Sequence, residues 1–317
     1  MENVKISVIL SAYNEEERWF RKAVESILNQ SFKEFELILI LDNPNNELLD
    51  KIIKEYKEKD SRIIYIKNEK NLGLVESLNR GIKASSGLYI ARMDADDIAY
   101  IDRLEKQCEF MEKNKDIALI GTSVDFIDED DNIIQSKTKV VKNSVKIIEY
   151  LKHTNVVVHP TFFFRREILD KVNGYREVSF AEDYDFICRV AASGYKITNL
   201  EEPLLRYRIR QNSISRDKTL AQIYNAFYLK KLYKERLKTG MDSYNIEDLY
   251  SDGKIDKKEI ENFTKSEKLK LKAESKRKED KLLESKMIFI YSKLISKYAR
   301  KNAIATIKYR LFSKLYK

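Results

Sequence analysis

Through roughly the first hundred residues, short apolar runs of strand length alternate with segments whose apolar residues recur at helical spacing. The runs are residues 6–10, 35–41, 63–66 and 88–93; the helical segments are 19–28, 48–56, 74–84 and 101–111. Parallel strands need a crossover between them, so this order predicts an α/β fold with a mostly parallel sheet covered by helices on both faces. Residues 37–41 read Leu-Ile-Leu-Ile-Leu without a polar break, the pattern of a central strand buried on both sides. Open sheets of this kind bind ligands beyond the carboxyl ends of their strands. That rule selects residues 11–15, 42–44, 68–73 and 94–97, all rich in polar or acidic side chains.

From residue 117 the strands shorten: 117–127, a turn at 128–132, then 133–140 and 156–164, a helix over 183–192 and an extended segment over 196–207. This half extends the same sheet. Beyond residue 215 the pattern is helical, with a charged, weakly apolar stretch over 260–285 that suits a solvated helix. The expected organisation is an α/β domain over 1–216, with halves 1–98 and 99–216, followed by a basic helical appendage over 217–317. No apolar window reaches the length of a membrane span, and the opening residues lack a signal-peptide pattern, which predicts a cytoplasmic location. Cys108 and Cys188 sit in amphipathic helical stretches and are expected to be buried, reduced thiols.

The net charge of +9 is local. Residues 285–317 hold nine Lys or Arg and no Asp or Glu; removing those nine from 60 leaves 51 basic residues against 51 acidic ones. A neutral body argues against nucleic acid as a partner, and a basic terminal element favours an anionic one.

Asp94-Ala95-Asp96-Asp97 closes a buried strand with three carboxylates in four residues. Such a cluster repels itself unless a cation intervenes, and magnesium or manganese can be held by one or two carboxylates while phosphate oxygens complete the shell. Asp97 could instead cap the following helix. The stretch resembles the metal-binding motif of family 2 glycosyltransferases, which have the GT-A (Rossmann-like) fold, and four further motifs follow that family in order and spacing. These are Val8-Ile9-Leu10-Ser11-Ala12-Tyr13-Asn14-Glu15, Ser26-Ile27-Leu28-Asn29-Gln30-Ser31, Asn71-Leu72-Gly73 with Asn79-Arg80-Gly81, and Glu182-Asp183-Tyr184-Asp185. The likeness spans about residues 4–215.

The resemblance implies an inverting transferase of the bacterial surface-polysaccharide type. It would move one hexose or N-acetylhexosamine from a UDP-sugar to a hydroxyl of a surface glycan or lipid-linked acceptor, with Mn2+ or Mg2+ as cofactor. Ser11, Tyr13 and Glu15 would line the nucleotide pocket and Asp42 would accept a hydrogen bond from the base, although Asp42 also stands where a turn begins. Asn71 and Gly73 either touch the donor or shape the turn ahead of residue 74; Arg80 joins the same donor side. Asp94 and Asp96 would meet ribose and metal, with Asp96 the direct ligand. Arg92, on the same strand face as Asp94, pairs with these acids or touches the donor. Asp183, beside Glu182, resembles the family's catalytic base; both also suit the first turn of a helix. His159 and Asp185 are candidates for the acceptor side. His153 and His159 have no metal-ligand spacing.

One departure concerns Arg210, which stands where many relatives have His. A guanidinium cannot ligate a cation but can grip diphosphate oxygens. In the tail, Asp248, Asp252, Gly253, Ile255, Asp256 and Glu259 follow the spacing of an EF-hand, but Tyr250 breaks it, and a helix-turn-helix is the better reading. Met287, Tyr291, Leu294, Ile295 and Tyr298 form an apolar stripe opposite Lys286, Lys293, Lys297 and Arg300, and Ile304, Ile307, Leu311 and Leu315 form a second. The stripes suit an anionic membrane surface at the inner face of the plasma membrane, packing on the body, or an oligomer contact. Two rival functions are a noncatalytic glycan or membrane scaffold and a dinucleotide-binding oxidoreductase. The second lacks a G-x-G-x-x-G turn after the first strand.

Overall fold

The computed structural model describes residues 4–210, 219–251 and 253–315, the last eight by backbone only. The first strand-helix units are β1 (Ile6–Ala12), α1 (Glu17–Leu28), β2 (Phe35–Leu41), α2 (Glu47–Lys59), β3 (Ile63–Lys67), α3 (Gly73–Ala84) and β4 (Tyr89–Asp94). The short β5 (Ile98–Ala99), α4 (Arg103–Lys113), β6 (Ile117–Ile127), β7 (Ile133–Gln135) and α5 (Ser144–Leu151) follow. Then come β8 (Phe163–Arg165), α6 (Leu169–Val172), α7 (Glu182–Ala192) and the long β9 (Lys196–Arg208). Four helices complete the chain: α8 (Thr219–Thr239), α9 (Lys257–Lys278), α10 (Leu282–Leu294) and α11 (Lys297–Leu315).

The sheet runs β3-β2-β1-β4-β8-β6-β9-β5, with β7 pairing β6 at the side. β1 to β4 are parallel, β8 runs against β4 and β6, and β9 returns parallel to β6. All of β2 is buried because its two residue sets face two cores. Leu37, Leu39 and Leu41 join the core containing Phe20, Val24 and Leu49, whereas Ile38 and Ile40 join the one containing Leu78, Phe162 and Phe186. This is the period-two alternation of a strand covered on both sides.

A polar clamp fixes where β4 starts. Glu36 Oε1 accepts from Ser7 Oγ at 2.6 Å and from the Ser86 amide at 2.6 Å, and Ser7 Oγ in turn accepts from the Gly87 amide at 2.8 Å. Gly87 lies so close to β1 that a Cβ there would come within 2.7 Å of the Ser7 amide nitrogen. The register that follows sets Ser11 beside Asp94 at the carboxyl edge.

Three local expectations change. The strand expected over 156–164 is largely a turn: His159–Thr161 form a 3-10 helix, and only Phe163–Arg165 pair in the sheet. Pro160 has no N–H to offer a ladder. The strand expected over 133–140 stops at Gln135, and Lys137 turns to φ 48° with its amide donating to Asp125 Oδ1 at 2.6 Å. The helix Ser144–Leu151, capped by Asn143, was not anticipated.

The boundary expected at 216/217 lies outside the described residues. Beyond it, α8 is not a separate body: Leu229, Leu232 and Tyr233 are buried in the same core as Phe186. Asn225 donates to the Ser179 carbonyl at 2.8 Å. Both cysteines are free and buried, as expected.

Candidate active site

The carboxyl ends of β1, β2 and β4 meet along one edge. On β2's side, Asp42 is buried and takes three donors: Asn68 Nδ2 at 2.7 Å, the Leu72 amide at 2.8 Å and the Gly73 amide at 2.9 Å. Asn71 Oδ1 also accepts from the Gly73 amide at 3.0 Å, and Gly73 takes φ 82°, a region glycine enters without strain. Asp42 and Asn71 thus hold the 71–73 turn at the head of α3. Arg80, half-buried, reaches Asn68 Oδ1 at 3.2 Å and so borders this pocket.

At β1's end Tyr13 is exposed, and its amide donates to Glu15 Oε2 at 2.7 Å. Burial pushes the Glu15 carboxyl up to about 7, the Tyr13 amide opposes this, and the nearby charge of Asp96 adds to the rise.

The Asp94–Asp97 cluster is enclosed by arginines. Arg92 is buried and pairs with Asp94. Arg210 Nε lies 2.8 Å from Asp96 Oδ2. The Arg208 amide donates to Asp97 Oδ1 at 2.9 Å, and its side chain donates to the Asp96 carbonyl at 2.8 Å. Arg208 also meets Asp131 at 2.6 Å, and the rings and guanidinium groups of Trp19, Arg208 and Arg210 lie together. Even so, burial and then Asp94's charge raise the Asp96 carboxyl, with Arg210 opposing. Burial and Asp96 raise Asp97 further, and its Oδ2 is buried without a hydrogen-bond partner.

Asp94 and Asp96, paired with Arg92 and Arg210, are the carboxylates at this edge, and among the described residues no group of three or more His, Cys, Asp or Glu is arranged to hold a metal ion. Two carboxylates of this kind would suit a hard cation only if substrate phosphate and water supplied its remaining ligands.

Arg92 connects this cluster to the acidic pair at the head of α7. Its Nε and Nη1 are buried without partners, and its charge reaches Glu182 and Asp183. Asp183 Oδ2 accepts from Asn155 Nδ2 at 2.8 Å. Glu182 Oε1 lies 4.0 Å from His159 Nδ1, and His159 Nε2 shares a hydrogen bond with Tyr175 Oη at 2.9 Å. Burial followed by Asp183 pushes the Glu182 carboxyl up to about 8; burial also raises Asp183, with its own helix amides, Asn155 and Arg92 opposing. Burial and Arg92 keep His159 well below its ordinary value, so it is a neutral imidazole. Phe180, two residues before the pair, holds φ 66°, a conformation a bulky residue rarely takes and one that clusters near functional sites.

The structure therefore brings together Glu15, Asp94, Asp96, Arg210, Arg92, Glu182, Asp183 and His159 by contact or by charge. Asp185 is a correction. It is buried in a structural ion network with Arg176 and with Arg189, whose Nε lies 2.7 Å away, and it does not reach the site. Two residues along a helix turn the side chain about 200°, so Asp183 and Asp185 face opposite ways. Arg208, Asn155 and Tyr175 were missed as site residues. Only the polar Asn155 ahead of an apolar run carried any local signal.

Residues 7–172 match the family described as Glycosyl transferase family 2. The chain belongs to that family. An uncharacterised glycosyltransferase of Methanocaldococcus jannaschii is 42% identical over 238 residues, 74% of this chain and 82% of the relative. The Escherichia coli O-antigen biosynthesis glycosyltransferase WbnJ is 32% identical over 73% of this chain and 90% of its own. Among solved structures, Staphylococcus aureus TarS 1–349 in complex with UDP-GlcNAc superposes with a TM-score of 0.61 at 19% identity, covering 76% of this chain and 68% of that one. The mannosyltransferase PcManGT of Pyrobaculum calidifontis, in complex with GDP-Man and Mn2+, gives 0.55 at 14% identity, over 71% and 63%. This glycosyltransferase thus has the GT-A fold, with its carboxylate cluster at the end of β4 and a helical region at its C-terminal end.

Proposed function

We propose that the protein is an inverting transferase that moves one hexose or N-acetylhexosamine from a UDP-sugar to a hydroxyl of a surface glycan or lipid-linked acceptor. The observation that carries this reading is the buried Arg92, which joins Asp94 to the Glu182–Asp183 pair and leaves two N–H-bearing nitrogens unpartnered. A donor diphosphate near Asp94 and Asp96 and an acceptor hydroxyl near Asp183 would then be adjacent. The complex of TarS with UDP-GlcNAc and the O-antigen role in WbnJ's name support the donor and acceptor classes.

In this account Asp183 takes the proton of the acceptor hydroxyl while its oxygen bonds to the anomeric carbon. The bond from that carbon to the β-phosphate oxygen breaks on the opposite face, and UDP departs with the electron pair. Glu182, ionising only near pH 8, keeps its proton at neutral pH and leaves the negative charge to Asp183. Asn155 orients Asp183. Arg92 and Arg210 offer positive charge to the diphosphate, and Asp42 fixes the turn that walls the base pocket. A Mn2+ or Mg2+ ion held by Asp96 and Asp94 would neutralise charge growing on the leaving diphosphate.

The place of work is the cytoplasm, at the inner face of the plasma membrane. No helix among the described residues is long and apolar enough to cross a membrane. A noncatalytic scaffold would have no need of the raised carboxyls at the head of α7. Release of free nucleotide from a panel of nucleotide sugars tests the reading: hydrolysis of at least one UDP-sugar is expected, and neither binding nor hydrolysis of any would favour the scaffold.

A further inference from the structure

α10 is assembled inside out. Its buried residues are Ser285 and Ser292, and Ser285 Oγ donates to the Ala273 carbonyl of α9 at 2.7 Å. The large apolar residues point away: Leu283 is 79% exposed, Met287 73%, Ile290 60% and Leu294 58%. At about 100° per residue these four fall in one narrow sector, and the two serines fall opposite it. Lys286 and Lys293 border the sector on one side, and the exposed Tyr291 lies on the other. The continuous stripe expected through Ile295 and Tyr298 is not formed. The helix ends at Leu294 and α11 begins at Lys297, and Tyr298 turns inward to pack with Leu220, Phe263 and Ala299. The later stripe continues the outward trend at Ile304 and Ile307, both exposed, while the side chains of Leu311 and Leu315 lie outside the described residues.

A helix whose purpose was to close its own core would bury leucine and isoleucine and show its serines to water. Contiguous apolar exposure of this kind marks an interaction surface. Charge identifies the occupant: apart from Glu284 in the first turn of α10 there is no anion from residue 283 to 317, against nine cations, so the surface that fits is apolar below and negative above. We propose that the outward face of α10, continued by the basic α11, lies on an anionic bilayer, with Leu283, Met287, Ile290 and Leu294 inserted below the headgroups and Lys286 and Lys293 among the phosphates. The inference rests on the proposed reading of a lipid-linked acceptor, and it specifies which surface carries the catalytic edge to it.

The test is co-sedimentation of the full chain with vesicles of phosphatidylcholine alone or mixed with phosphatidylglycerol, alongside donor hydrolysis in solution. Wild type is expected to pellet only with the anionic vesicles. Lys286→Glu with Lys293→Glu should weaken binding by about fivefold or more per site, and Met287→Glu with Ile290→Glu should remove it. Met287 and Ile290 are exposed, so the unfolding transition and donor hydrolysis of their double variant should stay at wild-type levels; Lys293 faces Glu267 and Glu274, so the lysine variant is judged only on chain whose donor hydrolysis matches wild type. Absence of lipid-dependent pelleting, or equal pelleting by both double variants and wild type, overturns the proposal. So does a wild-type dimer that Met287→Glu with Ile290→Glu turns into a monomer without any vesicle binding, because the face then belongs to a second copy. Vesicle binding by a chain that hydrolyses no donor would leave the docking intact and sink the transfer reading instead.

Discussion

Glu182→Gln isolates one consequence of the buried acidic pair. Burial and the neighbouring Asp183 push the Glu182 carboxyl from its ordinary 4.5 to about 8. An unfolded chain releases this proton near 4.5, whereas the folded chain keeps it until about 8, so within that window the native state binds more protons than the unfolded one. Stability that is fully present below pH 4.5 is then lost as the pH rises towards 8, at up to about 1.36 kcal/mol per pH unit and on the order of a few kcal/mol in all. Glutamine cannot ionise and escapes this loss. Urea unfolding of wild type and variant, followed by circular dichroism between pH 5 and 8.5, should show the difference shifting by several kcal/mol towards the variant. Donor hydrolysis at neutral pH should survive in the variant, since Glu182 already holds its proton there. Parallel stability curves across this range would refute the argument, and loss of hydrolysis would reassign the base to Glu182.

Three other substitutions probe separate parts of the site. Arg210→His removes a guanidinium 2.8 Å from Asp96 and offers an imidazole in its place. Wild-type turnover should fall in excess chelator and return with Mn2+, and the variant should be half-saturated at lower Mn2+; undiminished wild-type turnover in chelator would exclude metal dependence. Asp185→Asn strands Arg189 in a buried network and should destabilise the fold by about 3–5 kcal/mol in urea unfolding while leaving the donor KM of the folded fraction unchanged. Asp42→Ala removes the acceptor of Asn68 Nδ2 and the Leu72 amide and leaves the Gly73 amide only Asn71 Oδ1, at about 1–3 kcal/mol, and calorimetry should show UDP binding weakened roughly tenfold.

The nucleotide-binding half was legible because its signals are local. Each βα unit carries its own apolar period, and strand-end position alone picked out Asp42, Asn71 and Asp94–Asp97. The second half was harder. Val156-Val157-Val158 and Phe162-Phe163-Phe164 have the composition of a strand, yet Pro160 and the 3-10 turn between them break the ladder. Arg208 and Tyr175 reach the site through contacts with Asp96, Asp97 and His159 that lie far away in sequence. No periodicity encodes such meetings. Asp185 was misread for the opposite reason: it is adjacent to the pair in sequence, and the pitch of α7 turns it away. In the tail the apolar period was visible, but its direction depends on which residues α9 receives, and α9 receives serines.

Turnover and donor affinity of Asp183→Asn test the central claim most directly. Asp183 lies at the head of α7, held by Asn155, and Arg92 links it to the carboxylates of β4. With a UDP-sugar that wild type hydrolyses, the variant should bind within a few-fold of wild type by calorimetry and release UDP some 10²- to 10⁴-fold more slowly. Unchanged UDP release with intact binding would contradict Asp183 as the base.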